Sequence, residues 1–299
     1  MMYRGISYML LSTLSFSLVN LCVKILADKD NQFDTIQNYP VHELVLFRSV
    51  ISLSICIFII RHLKLPFFGH NKKWLLARGF FGVISLELFF YTLQHLPMAI
   101  ATTVQYLSPI FTIIFAIFMN KEIVKPIQWI FFAVSLSGVL VIGFSGTGEV
   151  PFDPFWLMIG VCSAIGSGLA YNSIIKCKDT DAPITVVMYF PLISTPVMIV
   201  VSIFNGFIMP QGIEWLLLLL MGILTQIAQV SMTKAFNSDN ASRITPVKYI
   251  GAIYAMLIGF FIFDETLGLY AGLGISLVLG GVLLNTFLTR KVVHQSSKV

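Results

Sequence analysis

Glu87, Tyr91 and Gln94 stand at i, i+4 and i+7 inside an apolar run, so a helix would place all three on one face. A charged side chain there costs ~2.5–3.5 kcal/mol on insertion scales, which makes it a functional hypothesis by default. Low dielectric disfavours the charged form of a carboxyl, so Glu87 is suited to exchange a proton or to bind a substrate group. The rival reading is an ion pair that only holds helices together.

Two more stripes have helical spacing. Thr13, Ser17, Asn20 and Lys24 fall on one face of the first apolar run, and Gln226, Gln229 and Thr233 on one face of the eighth. Such hydroxyls and amides either line a wet cavity or hydrogen-bond between helices. Gln105 and Tyr106 lie in the fourth run, Lys248 and Tyr249 in the ninth, and Arg48 in the second. Three readings stay open for Lys248: it reaches the membrane surface, it pairs with Glu87, or it binds an anionic group of a solute. Arg48 has the same surface and ion-pair alternatives. Asn20, Arg48, Glu87, Tyr91, Gln94, Gln105, Tyr106, Gln226, Gln229, Lys248 and Tyr249 are thus the candidates for binding or coupling.

Other chemistries find little support. Cys22, Cys56, Cys162 and Cys177 show no C-x-x-C or His-Cys spacing, which argues against a disulfide framework or a metal site. Gly146-Thr147-Gly148 has no following Lys-Ser/Thr, so it is not a phosphate loop, and no cofactor or nucleotide motif occurs elsewhere. Ser167, in Gly166-Ser167-Gly168, would need a base within reach to act as a nucleophile. The histidines all fall at the ends of apolar runs or between them. An intramembrane enzyme and a purely structural scaffold are therefore the weaker readings, and no catalytic residue is expected.

Positioning the candidates takes ten apolar segments, near 4–26, 41–60, 74–95, 98–119, 126–144, 155–175, 184–204, 213–235, 243–262 and 267–288. Runs of ~20 apolar residues can span a bilayer. The chain is 57% hydrophobic and 11% charged, against about 25% charged in a soluble domain. A formal charge of +5 does not point to nucleic acid, because the basic residues sit in short loops and form no single patch. With a cytoplasmic N-terminus, Lys72, Lys73, Lys121, Lys125, Lys176 and Lys178 all fall inside, while the outer loops keep Lys29 and mostly acids. The expectation is a multi-pass protein of the cell (inner or plasma) membrane with both termini cytoplasmic.

Sliding the sequence by 143 positions puts Tyr106 on Tyr249, Phe118 on Phe261 and Glu122 on Glu265 without a gap. Such an echo marks one structural unit used twice. With five spans per unit, the second must enter the membrane in the opposite sense. The fold class expected is an all-α integral membrane protein: ten helices as two inverted five-helix repeats, 1–147 and 148–299, around a central cavity. Inverted repeats hold solute near the midplane and rock to open either side. Glu122 and Glu265 close their helices at opposite faces, where each would cap or gate a neighbouring helix end. Gly251-Ala252 replaces Ser108-Pro109, so a kink is expected in the fourth segment and not guaranteed in the ninth. Gly160, Ala164 and Gly168 read as close helix packing.

The stretch LFFYTLQHLPMAIATTVQYLSPIFTIIFAIFMNKE, residues 88–122, resembles the repeat of the drug/metabolite transporter superfamily, EamA type. Its aromatic-rich helix, short turn, Ser-Pro and closing Glu carry the resemblance, and 234–265 is a diverged second copy. Arg48 matches a basic residue often found in the family's second span. The resemblance implies ten spans, a cavity lined mainly by segments 1, 3, 4, 6, 8 and 9, and transport of a small organic metabolite. Proton coupling or exchange would drive it, with the bilayer and the solute as partners, as a monomer or homodimer. Lys24, Arg48, Lys234 and Lys248 outnumber Glu87, which favours an anionic or zwitterionic, amino-acid-like solute. The 234–265 run is also similar to bacterial S-adenosylmethionine carriers, so that solute, or a drug-like cation, is the alternative.

Overall fold

The computed structural model describes residues 4–27, 36–120, 126–145, 153–238 and 247–296. Lys29, Lys121, Glu122, Lys125 and the 146–148 glycine loop lie outside them. The chain runs α1 Arg4–Leu26, α2 Val41–His62, α3 Lys72–His95, α4 Met98–Gln105, α5 Ser108–Asn120, α6 Pro126–Ser145, α7 Phe155–Cys177 and α8 Pro183–Asn205. It then continues through α9 Glu214–Ser238, α10 Ile250–Phe263 and α11 Leu269–Ser296. Among the described residues, seven stretches are long and apolar enough to cross a bilayer, α4 and α5 together forming one of them, Met98–Met119. Trp129–Ile142, Ile250–Phe263 and Leu269–Leu284 are shorter apolar helices that bring the number to ten.

Prolines set several helix starts. Pro40 and Pro97 precede α2 and α4, and Pro183 opens α8; at the first turn a missing N–H costs nothing. Pro109 does more. It cannot donate to Gln105, and the fourth segment breaks there at Tyr106 and Leu107, whose N–H groups turn back to Thr103 and Val104 in 3₁₀ fashion. The ninth segment breaks too. Val247 and Lys248 are helical, Tyr249 turns, and α10 starts at Ile250. That break has no proline and rests on close packing: a Cβ on Gly251 would collide with the Tyr106 hydroxyl.

Helix bounds recur at the 143-residue spacing. α2 with α8, α3 with α9, and α5 with α10 agree within one residue at both ends. Packing follows the same exchange: α1 lies on α9 and α3 on α7, α2–α8 and α6–α11 each join counterparts, and α4 lies on α10, the counterpart of α5. Backbones approach closely where side chains vanish. Gly138 of α6 faces the Gly274 carbonyl of α11, and Gly160 and Gly168 of α7 face Val104 and Phe111. Phe58, Phe118, Phe204 and Phe261 point outward, each more than 70% exposed, as a lipid-facing surface requires.

Candidate solute-binding cavity

At the centre of the bundle lies a cavity lined from α1, α2, α3, α4, α5, α7, α8, α9 and α10. α1 supplies one wall, from Met9 through Thr13 and Ser17 to Asn20. Thr13 and Ser17 donate to the carbonyls of Met9 and Thr13 one turn back, so their polar demand is met within the helix. Lys24 does not join them. Its ammonium lies 2.7 Å from Glu265 and donates to the Leu96 carbonyl. Glu265 in turn accepts the Met98 N–H and so caps α4, where helix dipole and carboxylate attract.

Among the described residues lining the cavity there are three cations, Arg48, Arg78 and Lys248, and no aspartate or glutamate. Arg48 of α2 is 1% exposed and Arg78 of α3 is 4% exposed. Their guanidinium carbons lie 5.3 and 5.9 Å from the Phe190 ring, and Arg48 also faces Phe90 at 5.5 Å. Arg78 donates to Gln229 Oε1 at 3.2 Å, and each arginine has a buried Nε with no hydrogen-bond partner. Lys248 sits over the Tyr171 ring at 4.4 Å and donates to its hydroxyl at 3.2 Å. Cation–π contacts return ~0.5–2 kcal/mol each. Taking a charged side chain out of water costs several kcal/mol, so the rings alone leave these cations under-compensated. Planar guanidiniums with free donors are suited to grip a carboxylate or phosphate bidentately.

Of the sequence candidates, Asn20, Arg48, Gln105, Tyr106, Gln229 and Lys248 come together on this cavity. Gln105 is also committed elsewhere: its amide donates to Ser167 at 2.7 Å and accepts from Ser163 at 2.9 Å. Ser85 bonds Ser167 at 2.6 Å, completing a seam between α3, α4 and α7. Ser167 thus has a serine and an amide beside it, and neither is a base. Tyr249 is 5% exposed and packs on Tyr106 rather than lining the space. Gln226 turns to α2, accepting from Ser52 at 2.5 Å and donating to Cys56 at 3.1 Å.

The α3 stripe requires a correction. Glu87, Tyr91 and Gln94 do share a face, but α3 presents Arg78, Gly82, Ser85 and Phe89 to the cavity instead. Glu87 lies on the opposite side, above the exposed Phe80 and Ile84, with one carboxyl oxygen buried and unpartnered. Tyr91 stacks on Trp156 at 6.5 Å. Gly82 explains the choice of face, because a Cβ there would strike the Arg78 guanidinium. Lys248 is on Tyr171 and not on Glu87. Lys234, another basic candidate, is exposed and 5.7 Å from the Tyr8 ring.

Sequence reasoning missed Arg78 and Tyr171. Arg78 stands in the second turn of α3, near the start of the third apolar run. The signal available was Gly82 and Ser85 at i+4 and i+7, a small-residue strip that leaves room for a long side chain.

A family model described as the EamA-like transporter family matches residues 3–144 and again 154–287. The pseudopaline exporter CntI of Pseudomonas aeruginosa is 27% identical over 256 residues, 84% of this chain and 84% of its own length. An S-adenosylmethionine uptake transporter of Rickettsia felis is 26% identical over 273 residues, 87% of this chain and 85% of its own. A solved crystal structure superposes with a TM-score of 0.64 at 20% identity, covering 94% of this chain and 98% of that one, so the two share a fold.

Proposed function

We propose, since the chain belongs to the EamA-like transporter family, that it carries a small anionic or zwitterionic metabolite across the cell membrane by alternating access. The chain is a membrane transporter; the solute class is our reading of its cavity. One observation carries that reading: Arg48, Arg78 and Lys248 line the space with no acid beside them among the described residues. A cationic solute would meet three like charges and no partner. The two halves, 1–147 and 148–299, act in this account as inverted repeats that rock about the Tyr106–Tyr249 contact, with both termini cytoplasmic. Glu87 is the proposed coupling acid, and it would act from behind the cavity wall.

The test is a metabolite screen on proteoliposomes with and without a pH gradient. The expected outcome is accumulation or counterflow of solutes bearing a carboxylate or phosphate. Transport confined to cations would contradict the proposal and favour the drug-like-cation alternative.

A further inference from the structure

The three cavity cations are not scattered. Arg48 and Arg78 both face one ring, Phe190, at 5.3 and 5.9 Å. Lys248 is held on the same cavity by the Tyr171 hydroxyl and ring. The charges therefore fall into two groups on one cavity: the two arginines at Phe190, and the ammonium at Tyr171.

Charge and lone pairs decide what such an arrangement can hold. An ionised carboxylate offers about four lone-pair sites. Two bidentate guanidinium forks use all of them, which leaves nothing for Lys248. A single carboxylate also leaves two of the three positive charges unanswered. Met9, Phe16, Phe89 and Met232 wall the same space, so the part of the solute between its charged ends meets hydrocarbon.

We infer that the solute carries two anionic groups joined by a largely carbon linker, one clamped between Arg48 and Arg78 and the second reaching Lys248. This rests on the anionic-solute reading above and narrows it from one acidic group to two. Asn20, whose amide has no hydrogen-bond partner among the described residues, lines the α1 wall, where it would take a polar substituent on the linker.

The test uses the purified full-length protein and a ladder of linear α,ω-dicarboxylates from succinate upward, each paired with its own monoamide. Affinity is read by titration calorimetry at constant pH. The monoamide keeps length and shape while removing one charge. One rung should bind at least about tenfold more tightly as the diacid than as the monoamide, the gain of a charge-assisted contact. Lys248→Met should erase that advantage, and Arg78→Gln should weaken both ligands. The wild-type ratio decides the question by itself if either variant fails to fold. Equal binding of diacid and monoamide on every rung would overturn the two-group inference while leaving the anionic reading intact. A ladder in which no diacid binds also overturns it, and binding of a quaternary ammonium instead would overturn both.

Discussion

Tyr106 and Tyr249 pack edge to face with ring centroids 5.3 Å apart, and they occupy one and the same position of the internal repeat, 143 residues apart. Each stands where its helix is interrupted. The copies thus meet at the bundle centre through their breaks, and Gly251 supplies the space into which the Tyr106 hydroxyl fits.

Adding one methyl at that contact should be felt. Gly251→Ala would press on Tyr106 and on Thr13, and overpacking of this kind costs about 1–3 kcal/mol. Tyr106→Phe in the same chain removes the opposing hydroxyl and should recover part of the loss. Thermal unfolding of the single and double variants in detergent checks this. A Gly251→Ala protein as stable as wild type would show that the two breaks are not in close contact.

Gln226 and Gln229 stand three residues apart on α9 and should behave oppositely. Gln226→Ala strands Ser52 and the Cys56 thiol between α2 and α9, at about 1–3 kcal/mol of stability. Solute affinity should survive. Gln229→Ala removes the amide that orients Arg78 and should lower affinity on the order of tenfold, whatever its cost in melting temperature. Asn20→Ala should resemble Gln229→Ala. Paired melting and binding measurements distinguish the two patterns, and a reversed pattern would contradict the cavity boundary.

The turn before α8 gives a pH-dependent prediction. Burial alone would push the Asp181 carboxyl up, but N–H donation from His70 at 2.5 Å, the Thr180 hydroxyl and the Asn71 N–H outweigh it. The net effect holds Asp181 below its ordinary 3.8. A carboxyl depressed in the folded state lends stability that is present above its unfolded value and lost as pH falls through the folded one. The melting-temperature gap between wild type and Asp181→Asn should therefore be constant near neutrality and shrink below 3.8. A gap that instead widens on acidification would mean that the clasp binds the protonated acid.

Glu87→Gln tests coupling. The variant keeps the volume and mimics the protonated acid, so it should lose pH-gradient-driven accumulation while retaining counterflow at equal pH. Normal gradient-driven accumulation would remove Glu87 from the coupling path.

Much of the scaffold was legible because its physics is local. Apolar runs of spanning length, prolines at helix starts and a gapless repeat each leave a mark in the sequence. The correspondence of Tyr106 with Tyr249 follows from that repeat, whereas their contact does not. Which face of α3 turns inward was not legible, because Glu87 and Arg78 lie on opposite sides of one helix and both are rare in apolar runs. Only the packing of Gly82 and Ser85 against neighbouring helices decides between them. The fates of Gln226 and Gln229 were hidden for the same reason, since both belong to one polar stripe whose edges are set by α2.

The central claim is that buried, under-compensated arginines are completed by the solute, and Arg48→Met measures it most directly. The Arg48 guanidinium rests on Phe90 and Phe190. Replacing an uncompensated buried charge by an apolar side chain removes a desolvation cost of several kcal/mol. Calorimetric titration of Arg48→Met with the solute found in the proteoliposome screen should show affinity reduced at least about tenfold, in a protein that melts no lower than wild type without ligand. Unchanged affinity, whatever the melting temperature, would contradict the account.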